Sequence, residues 1–529
     1  MAQWLPDAGK KIIYASLGCA LLAAVFFAHW FLADSSPFVD EGDHATTGQI
    51  ILRGGMMYRD AFNEKGPGLY WLTAGLFKFF GERFVVLRYA AAATALLTLI
   101  LLMAAGAMFG HAGSGLIAAL IYSAFHLLFL GEYWQPESVL TPLALAVIVV
   151  LTVRNEEQGP AAWRMFVAGL LLFGATLVKQ NAWLFVAALA ILIIYARFRN
   201  KTFFSIASLA GLFAGLVGSW LLLFLWLRTS GGWDSFAEGY LFPLTSFSTK
   251  EAWYLPRLNE FFLELPVWWM MLAAFWALPS KLFGKWNIRL LLLVLAVELI
   301  MIFPAPYIHH FLPVLAVSAL GFTLALPADA RQFFRQRNFM LPIFTLLCLG
   351  AAGQAPRQYQ LHVGRFETRQ WEEVAAAVVR DTTAEDRIFV FPFDSTYYFL
   401  TDRLPPGRFG FLLPWTTPPP ILAQFLAEFR RQPPKVILYT YLSNYTPVDR
   451  PPKTYLGPLI DLISSQYVLN RIFPNRVALF VRLDDPAARN TVDSCIVNQL
   501  MNIEVDFRVG INTPEDLILR VRTACRTRL

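Results

Sequence analysis

Long apolar runs broken by short polar islands fill the first two-thirds of the chain. A bilayer-crossing helix needs about 20 mostly apolar residues. Runs of that kind recur at 12–32, 85–109, 114–130, 139–153, 165–178, 182–196, 204–227, 261–279, 288–303, 311–326 and 339–353. They predict a polytopic α-helical membrane protein of about 11 transmembrane helices. Between the first two runs the pattern predicts two helices that lie along the membrane surface instead of crossing it. One is capped by Asp40 or Asp43, runs through Arg53 and stops at Gly54-Gly55. The other starts at Pro67 and ends at Gly81.

Past residue 354 the period changes. Helical spacing spans Trp371–Arg380, and strand-like runs follow at Arg387–Phe393, Lys435–Tyr441, Gln466–Ile472 and Val477–Leu483. Pro474-Asn475 suits a turn closing the last two runs into a hairpin, and loops rich in proline occupy Pro414–Pro420 and Pro447–Pro452. The chain thus divides into a transmembrane domain (1–353), an extracytoplasmic α/β domain (354–483) and an appendage (484–529).

Composition sharpens this picture. Hydrophobic residues make up 57% of the chain and charged ones only 15%, against about 25% charged in a soluble domain. Many spans explain that deficit better than one large core. The net charge of +7 is carried largely in clusters between the runs, so it does not read as a nucleic-acid signature. Lys10/Lys11, Arg154/Arg164, Arg197/Arg199/Lys201, Lys281/Lys285/Arg289 and Arg331/Arg335/Arg337 all fall on one side of the predicted topology. The positive-inside bias puts that side, with the N-terminus, in the cytoplasm and the C-terminus outside. Cys19 and Cys348 lie within apolar runs, whereas Cys495 and Cys525 lie in the polar tail. An oxidising exterior favours a disulfide between the latter pair.

The candidate chemistry gathers in the external loops. Asp40 and Glu41 stand where the first span emerges, and Tyr58, Asp60 and Lys65 form a second polar cluster before the chain re-enters the membrane. Asp40 admits two readings: a helix cap, or a general base that deprotonates a hydroxyl nucleophile. Glu137, behind Pro136, is either a helix N-terminal carboxylate or a second acid facing Asp40. Lys179, Arg88, Lys65 and the pair His309/His310 are interfacial charges or a ring of cations around a phosphate. No Walker loop, G-x-S-x-G elbow, H-E-x-x-H or clustered His/Cys pattern is present in the sequence. An external site also lacks access to nucleotide sugars, so an activated donor there has to be borne by the membrane.

Together these segments resemble the GT-C membrane glycosyltransferases, in the bacterial branch related to protein O-mannosyltransferases and aminoarabinose (lipid A) transferases. The resemblance rests on Asp40-Glu41, Gly54-Gly55 with Tyr58-Arg-Asp60, Lys65-Gly-Pro67, Leu177-Val-Lys-Gln-Asn181, the Tyr307–Pro313 loop and the tail segments Asp386–Val390 and Tyr397–Arg403. It covers roughly 10–483, and the single proline after Lys65-Gly is a departure from the family's two. What it implies is an inverting transfer of a sugar from a polyprenyl-phosphate donor to a hydroxyl of a lipid, glycan or protein acceptor. The setting would be the outer face of a bacterial inner membrane. Asp40 would be the catalytic base. Glu41, Tyr58, Asp60, Lys65, Arg88, Glu137, Lys179, His309 and His310 would bind substrate, with no cofactor required and room for a divalent metal. A flippase of a lipid-linked sugar would share the cationic cavity, but no repeat symmetry is visible in the sequence.

Overall fold

The computed structural model describes residues 7–109, 112–153, 158–246, 285–302, 307–325, 369–441, 452–483 and 491–502, with 521, 523 and 525. Helix α1 (Asp7–Leu32) leads into α2 (Val39–Leu52) and α3 (Pro67–Phe80), followed by α4 (Phe84–Met108), α5 (Ala112–Phe125), α6 (Pro136–Leu151), α7 (Ala162–Val178) and α8 (Trp183–Arg199). Then come α9 (Ile206–Phe213), a π turn, α10 (Ser219–Thr229) and α11 (Trp233–Ser246). Apolar helices at Trp286–Ile302 and Leu312–Ala325 complete the described bundle.

Four stretches are long and apolar enough to cross a membrane: Ile12–Leu32, Phe84–Met108, Gln180–Arg199 and Ile206–Thr229, with shorter apolar helices beside them. Helices stand at nine of the predicted runs, while 261–279 and 339–353 lie outside the described residues. The bundle core forms where α4 packs on α5 and α6, and Leu312–Ala325 packs on α5 and α6. It buries Leu99, Leu102, Leu145, Ile148, Leu315 and Leu320.

The first loop folds into two helices, with one correction at its start. Phe38, not Asp40 or Asp43, is the N-cap of α2, and it has no side-chain cap bond. Asp40 and Glu41 fall in the first helical turn, where carboxylates are favoured by the helix dipole. The helices stop where glycine allows a left-handed turn, at Gly54 (φ 92°) and Gly81 (φ 88°). Although α2 is polar, Glu41, Asp43, His44, Thr46, Thr47 and Gln49 are all buried. It packs between α3 and the short helix Thr396–Thr401. Thr46 Oγ1 donates to the Ser395 carbonyl (2.7 Å), and a Cβ on Gly42 would collide with Thr396.

Strands β1 (Ile388–Phe391), β2 (Val436–Tyr439), β3 (Tyr467–Ile472) and β4 (Ala478–Arg482) form one sheet in the order β1-β2-β4-β3. β1 and β2 run parallel and the other neighbours antiparallel. β1 and β2 are buried along their whole length, so both faces carry apolar clusters. The loop expected at Pro414–Pro420 ends in a helix, Pro419–Arg431, because proline suits the first helical turn. The expected loop at Pro447–Pro452 falls mostly outside the described residues. This layer is tied to the first loop: Phe62 N–H donates to Arg408 O (2.8 Å), and Arg408 bonds both Tyr58 O and Glu238. Cys495 and Cys525 are joined by a disulfide, their Cα atoms 5.8 Å apart.

Candidate functional site

The first turn of α2 splits its two carboxylates. Asp40 turns to a half-open position where Lys65 Nζ meets its Oδ2 at 3.1 Å, with side-chain exposures of 24% for Lys65 and 25% for Asp40. Burial would raise the Asp40 pKa. The Lys65 ammonium, with His309 and His44 behind it, outweighs burial and holds the carboxyl below the usual range. Lys65 is in turn held above the ordinary lysine value: burial opposes its charge, but Asp40, Asp43 and Glu64 prevail.

His44, one helical turn on, backs this pair. Its Nδ1 lies 2.9 Å from the Trp134 carbonyl, which can only accept, so Nδ1 carries the proton. Nε2 is then a lone pair facing Lys65 Nζ at 3.4 Å. Burial, then repulsion by Lys65, pushes the ring down to about 3 and keeps it neutral. Asp43 Oδ2 accepts from Asn63 Nδ2 (2.7 Å) and Tyr70 OH (3.0 Å). Burial pushes its carboxyl up to about 6 against the pull of Lys65.

A second cluster comes from three other segments. Lys179, where α7 ends, donates to Glu137 Oε1 at 2.6 Å, and His310 Nε2 lies 3.6 Å from the same oxygen. Glu137, His309 and His310 present ligand atoms all within 4.8 Å of one another. One carboxylate and two imidazoles suit a divalent ion of the zinc type, although Lys179 already supplies positive charge to that carboxylate. The two clusters are neighbours, since His309 lies within electrostatic reach of Asp40, Lys65, Glu137 and Lys179 together.

Close packing between loops joins the clusters. A Cβ on Gly66 would run into the carbonyls of Leu177 and Val178, and Gln180 Nε2 donates to Glu64 O at 3.1 Å. This chain therefore needs glycine at 66, which accounts for its departure from a Lys-Pro-Pro pattern.

Other expected residues lie elsewhere. Arg88 is not open to a phosphate: it pairs with Glu41 Oε2 at 3.0 Å, both fully buried at 2% and 0% exposure. It stacks 4.0 Å over the Tyr133 ring and donates to Ser36 O (2.9 Å). Burial pushes the Glu41 carboxyl up to about 7 against Arg88. Tyr58 is buried and donates to Lys65 O (2.8 Å), fixing the loop that presents the lysine. Asp60 accepts from Met56 N–H and Arg59 and does not join the cluster.

Sequence reasoning missed Asn63, Tyr70, Trp134, Gln135 and Glu298. Glu298, in Trp286–Ile302, is 2% exposed, and its Oε1 has no hydrogen bond among the described residues. It lies within reach of the charges of Lys179 and Glu137. A carboxylate inside an apolar run was the signal that could have found it. An apolar cleft of about 530 Å³ opens beside the first loop, lined by Ile51, Met56, Trp71, Leu223, Trp226 and Phe236 among others.

Comparison with known proteins agrees with this architecture. The model of the dolichyl-phosphate-mannose-protein mannosyltransferase family matches residues 64–223, the stretch that carries Lys65, Glu137 and Lys179. No curated protein matches the chain. Among solved structures, ArnT from Cupriavidus metallidurans bound to undecaprenyl phosphate aligns over 92% of this chain and 100% of its own, at 15% identity and a TM-score of 0.57. The archaeal oligosaccharyltransferase AglB from Archaeoglobus fulgidus, in complex with an inhibitory peptide and a dolichol-phosphate, aligns over 91% of this chain and 75% of its own, at 10% identity and a TM-score of 0.54. The chain is a multi-pass membrane protein with the GT-C fold, and in that fold and in its 64–223 segment it resembles the GT-C membrane glycosyltransferases.

Proposed function

We propose that the chain is an inverting glycosyltransferase of a bacterial inner membrane. It takes a sugar from a polyprenyl-phosphate donor and gives it to an acceptor hydroxyl on the outer face. In this reading residues 1–353 hold the catalytic site, 354–483 form an extracytoplasmic domain, and the N-terminus is cytoplasmic. One observation carries the proposal. A partly exposed Asp40 and two lysines, each paired to a carboxylate, converge from separate inter-helix loops, with His309 in reach of both pairs.

The chemistry follows from that charge arrangement. The acceptor oxygen attacks the anomeric carbon from the face opposite the phosphate. Its proton passes to Asp40, the C1–O bond to phosphate breaks, and the bond electrons leave with the lipid phosphate. Lys65 and Lys179 stabilise the charge growing on that phosphate. Lys65 also times the proton transfer. While it sits on Asp40 the carboxylate is a weak base, and a phosphate that draws the ammonium away raises the proton affinity of Asp40 as donor binds. Glu137, His309 and His310 are the residues that would hold a divalent ion, which would supply further positive charge beside the leaving group. The apolar cleft next to the first loop suits the isoprenoid tail.

The test is transfer from synthetic polyprenyl-phosphate sugars by purified protein. Asp40→Asn should keep donor binding and lose turnover. A variant that turns over like wild type removes Asp40, and with it this mechanism.

A further inference from the structure

Gln135 is the N-cap of α6 and lies in sequence between residues tied to the two charge clusters. Trp134 before it accepts from His44 through its carbonyl and gives its N–H to Glu41 Oε1 (3.3 Å). Glu137 after it holds Lys179. The surrounding segment is rigidly bonded. Trp134 Nε1 donates to Thr73 Oγ1 (2.8 Å), Ser138 Oγ donates to Tyr133 O (2.7 Å), and the Gln135 carbonyl accepts from Ser138 N–H (3.1 Å).

Against that background the Gln135 side chain stands out. It is 1% exposed, and among the described residues neither its Nε2 nor its Oε1 has a hydrogen-bond partner. A buried amide unmatched at both ends is costly, and such groups are as a rule met by a hydrogen-bonding partner in the working protein. The chemistry of the site narrows which. The cations are committed to phosphate and Asp40 to a proton. A neutral amide offers donors and an acceptor side by side, the complement of sugar hydroxyls, each of which both donates and accepts.

From this we infer that the Gln135 amide reads the hydroxyl pattern of the transferred sugar. The inference rests on the transferase reading above and extends it to substrate selection. The amide is covered in the free chain. On this reading, entry of the sugar uncovers it, as entry of the phosphate draws Lys65 from Asp40.

Binding separates this from a structural role. Purified wild type, Gln135→Leu and Gln135→Glu are titrated with undecaprenyl phosphate and with a panel of synthetic undecaprenyl-phosphate pentoses and hexoses, with melting temperature as the folding control. Wild type should favour at least one glycosylated lipid over the bare phosphate. Gln135→Leu should lose about tenfold in affinity for that glycolipid while its affinity for bare undecaprenyl phosphate stays within about twofold. Gln135→Glu, which keeps the shape and loses the amide donor, should show a smaller, sugar-dependent loss. Three results overturn the inference: equal weakening for both lipids, no change for either, or a wild type that does not distinguish them. Sugar-selective binding with no transfer to any acceptor would instead sink the transferase reading and leave this one standing.

Discussion

Two adjacent carboxylates on one helical turn meet opposite fates. Asp40 is a quarter exposed and paired to a lysine on a loop. Glu41 is sealed against Arg88 with no exposure at all. Both are acidic, both follow the same span, and both pair with a cation at about 3 Å. What separates them is the direction in which the helix points each side chain. The sealed pair is an anchor: Arg88 also donates to the carbonyls of Ser35 and Ser36, and neither side chain reaches the surface where a substrate could meet it. The open pair can be exchanged, because water or an entering ligand can replace either partner. The difference teaches that ionic pairing alone does not make a group available for chemistry in such a loop; accessibility does.

Breaking each pair should therefore give different losses. The largest effect is expected from Asp40→Asn, which should lower turnover by about 10²–10⁴-fold with a loss of stability small beside that of Arg88→Met. A large fall in stability would instead make Asp40 an anchor like its neighbour. Arg88→Met should do the reverse and destabilise the fold by about 3–5 kcal/mol, since it leaves Glu41 buried without its partner. The check is denaturation in detergent; a stable Arg88→Met protein defective only in donor binding would return Arg88 to the phosphate site.

The pH dependence sharpens the contrast. The folded pKa of Asp43 is raised to about 6, so between its unfolded value and 6 the native state binds more protons than the unfolded one. This group therefore makes stability fall as pH rises from about 4 to 6. Asp40, with a lowered folded pKa, acts oppositely, contributing stability above its unfolded pKa that is lost as pH falls. Asp43→Asn should flatten the stability profile across that window, and an unchanged slope would mean that Asp43 is not the titrating group. The smallest effect is expected at the junction of the loops. Gly66→Ala should cost about 1–3 kcal/mol through overpacking against two carbonyls, with activity loss in proportion. A melting temperature equal to wild type would show that the loops can separate there.

Much of the scaffold was legible in the sequence because its signals are local. Apolar runs of sufficient length marked the spans, Gly54 and Gly81 marked the ends of α2 and α3, and short strand-like runs marked all four strands to within two residues at each end. The two charge clusters were less legible. Lys65, Lys179 and His310 read in the sequence as members of one ring of cations and Glu137 as a second acid, but which acid each cation takes is not written in their spacing. Arg88 illustrates the limit. Its position beside an external loop fits a phosphate ligand equally well, and only the fold shows its side chain sealed beneath Tyr133.

The sequence by itself determined that this is a many-helix membrane chain with carboxylates and cations at one surface, because burial in lipid and helical period act over neighbouring residues. Only the tertiary structure decided that Asp40 faces Lys65, that Glu41 is locked away, and that Gln135 lies buried with an amide unmatched among the described residues. Those outcomes depend on loops more than ninety residues apart in some pairs, such as Glu41 and Trp134. Packing, not local pattern, sets which side chains of such loops meet.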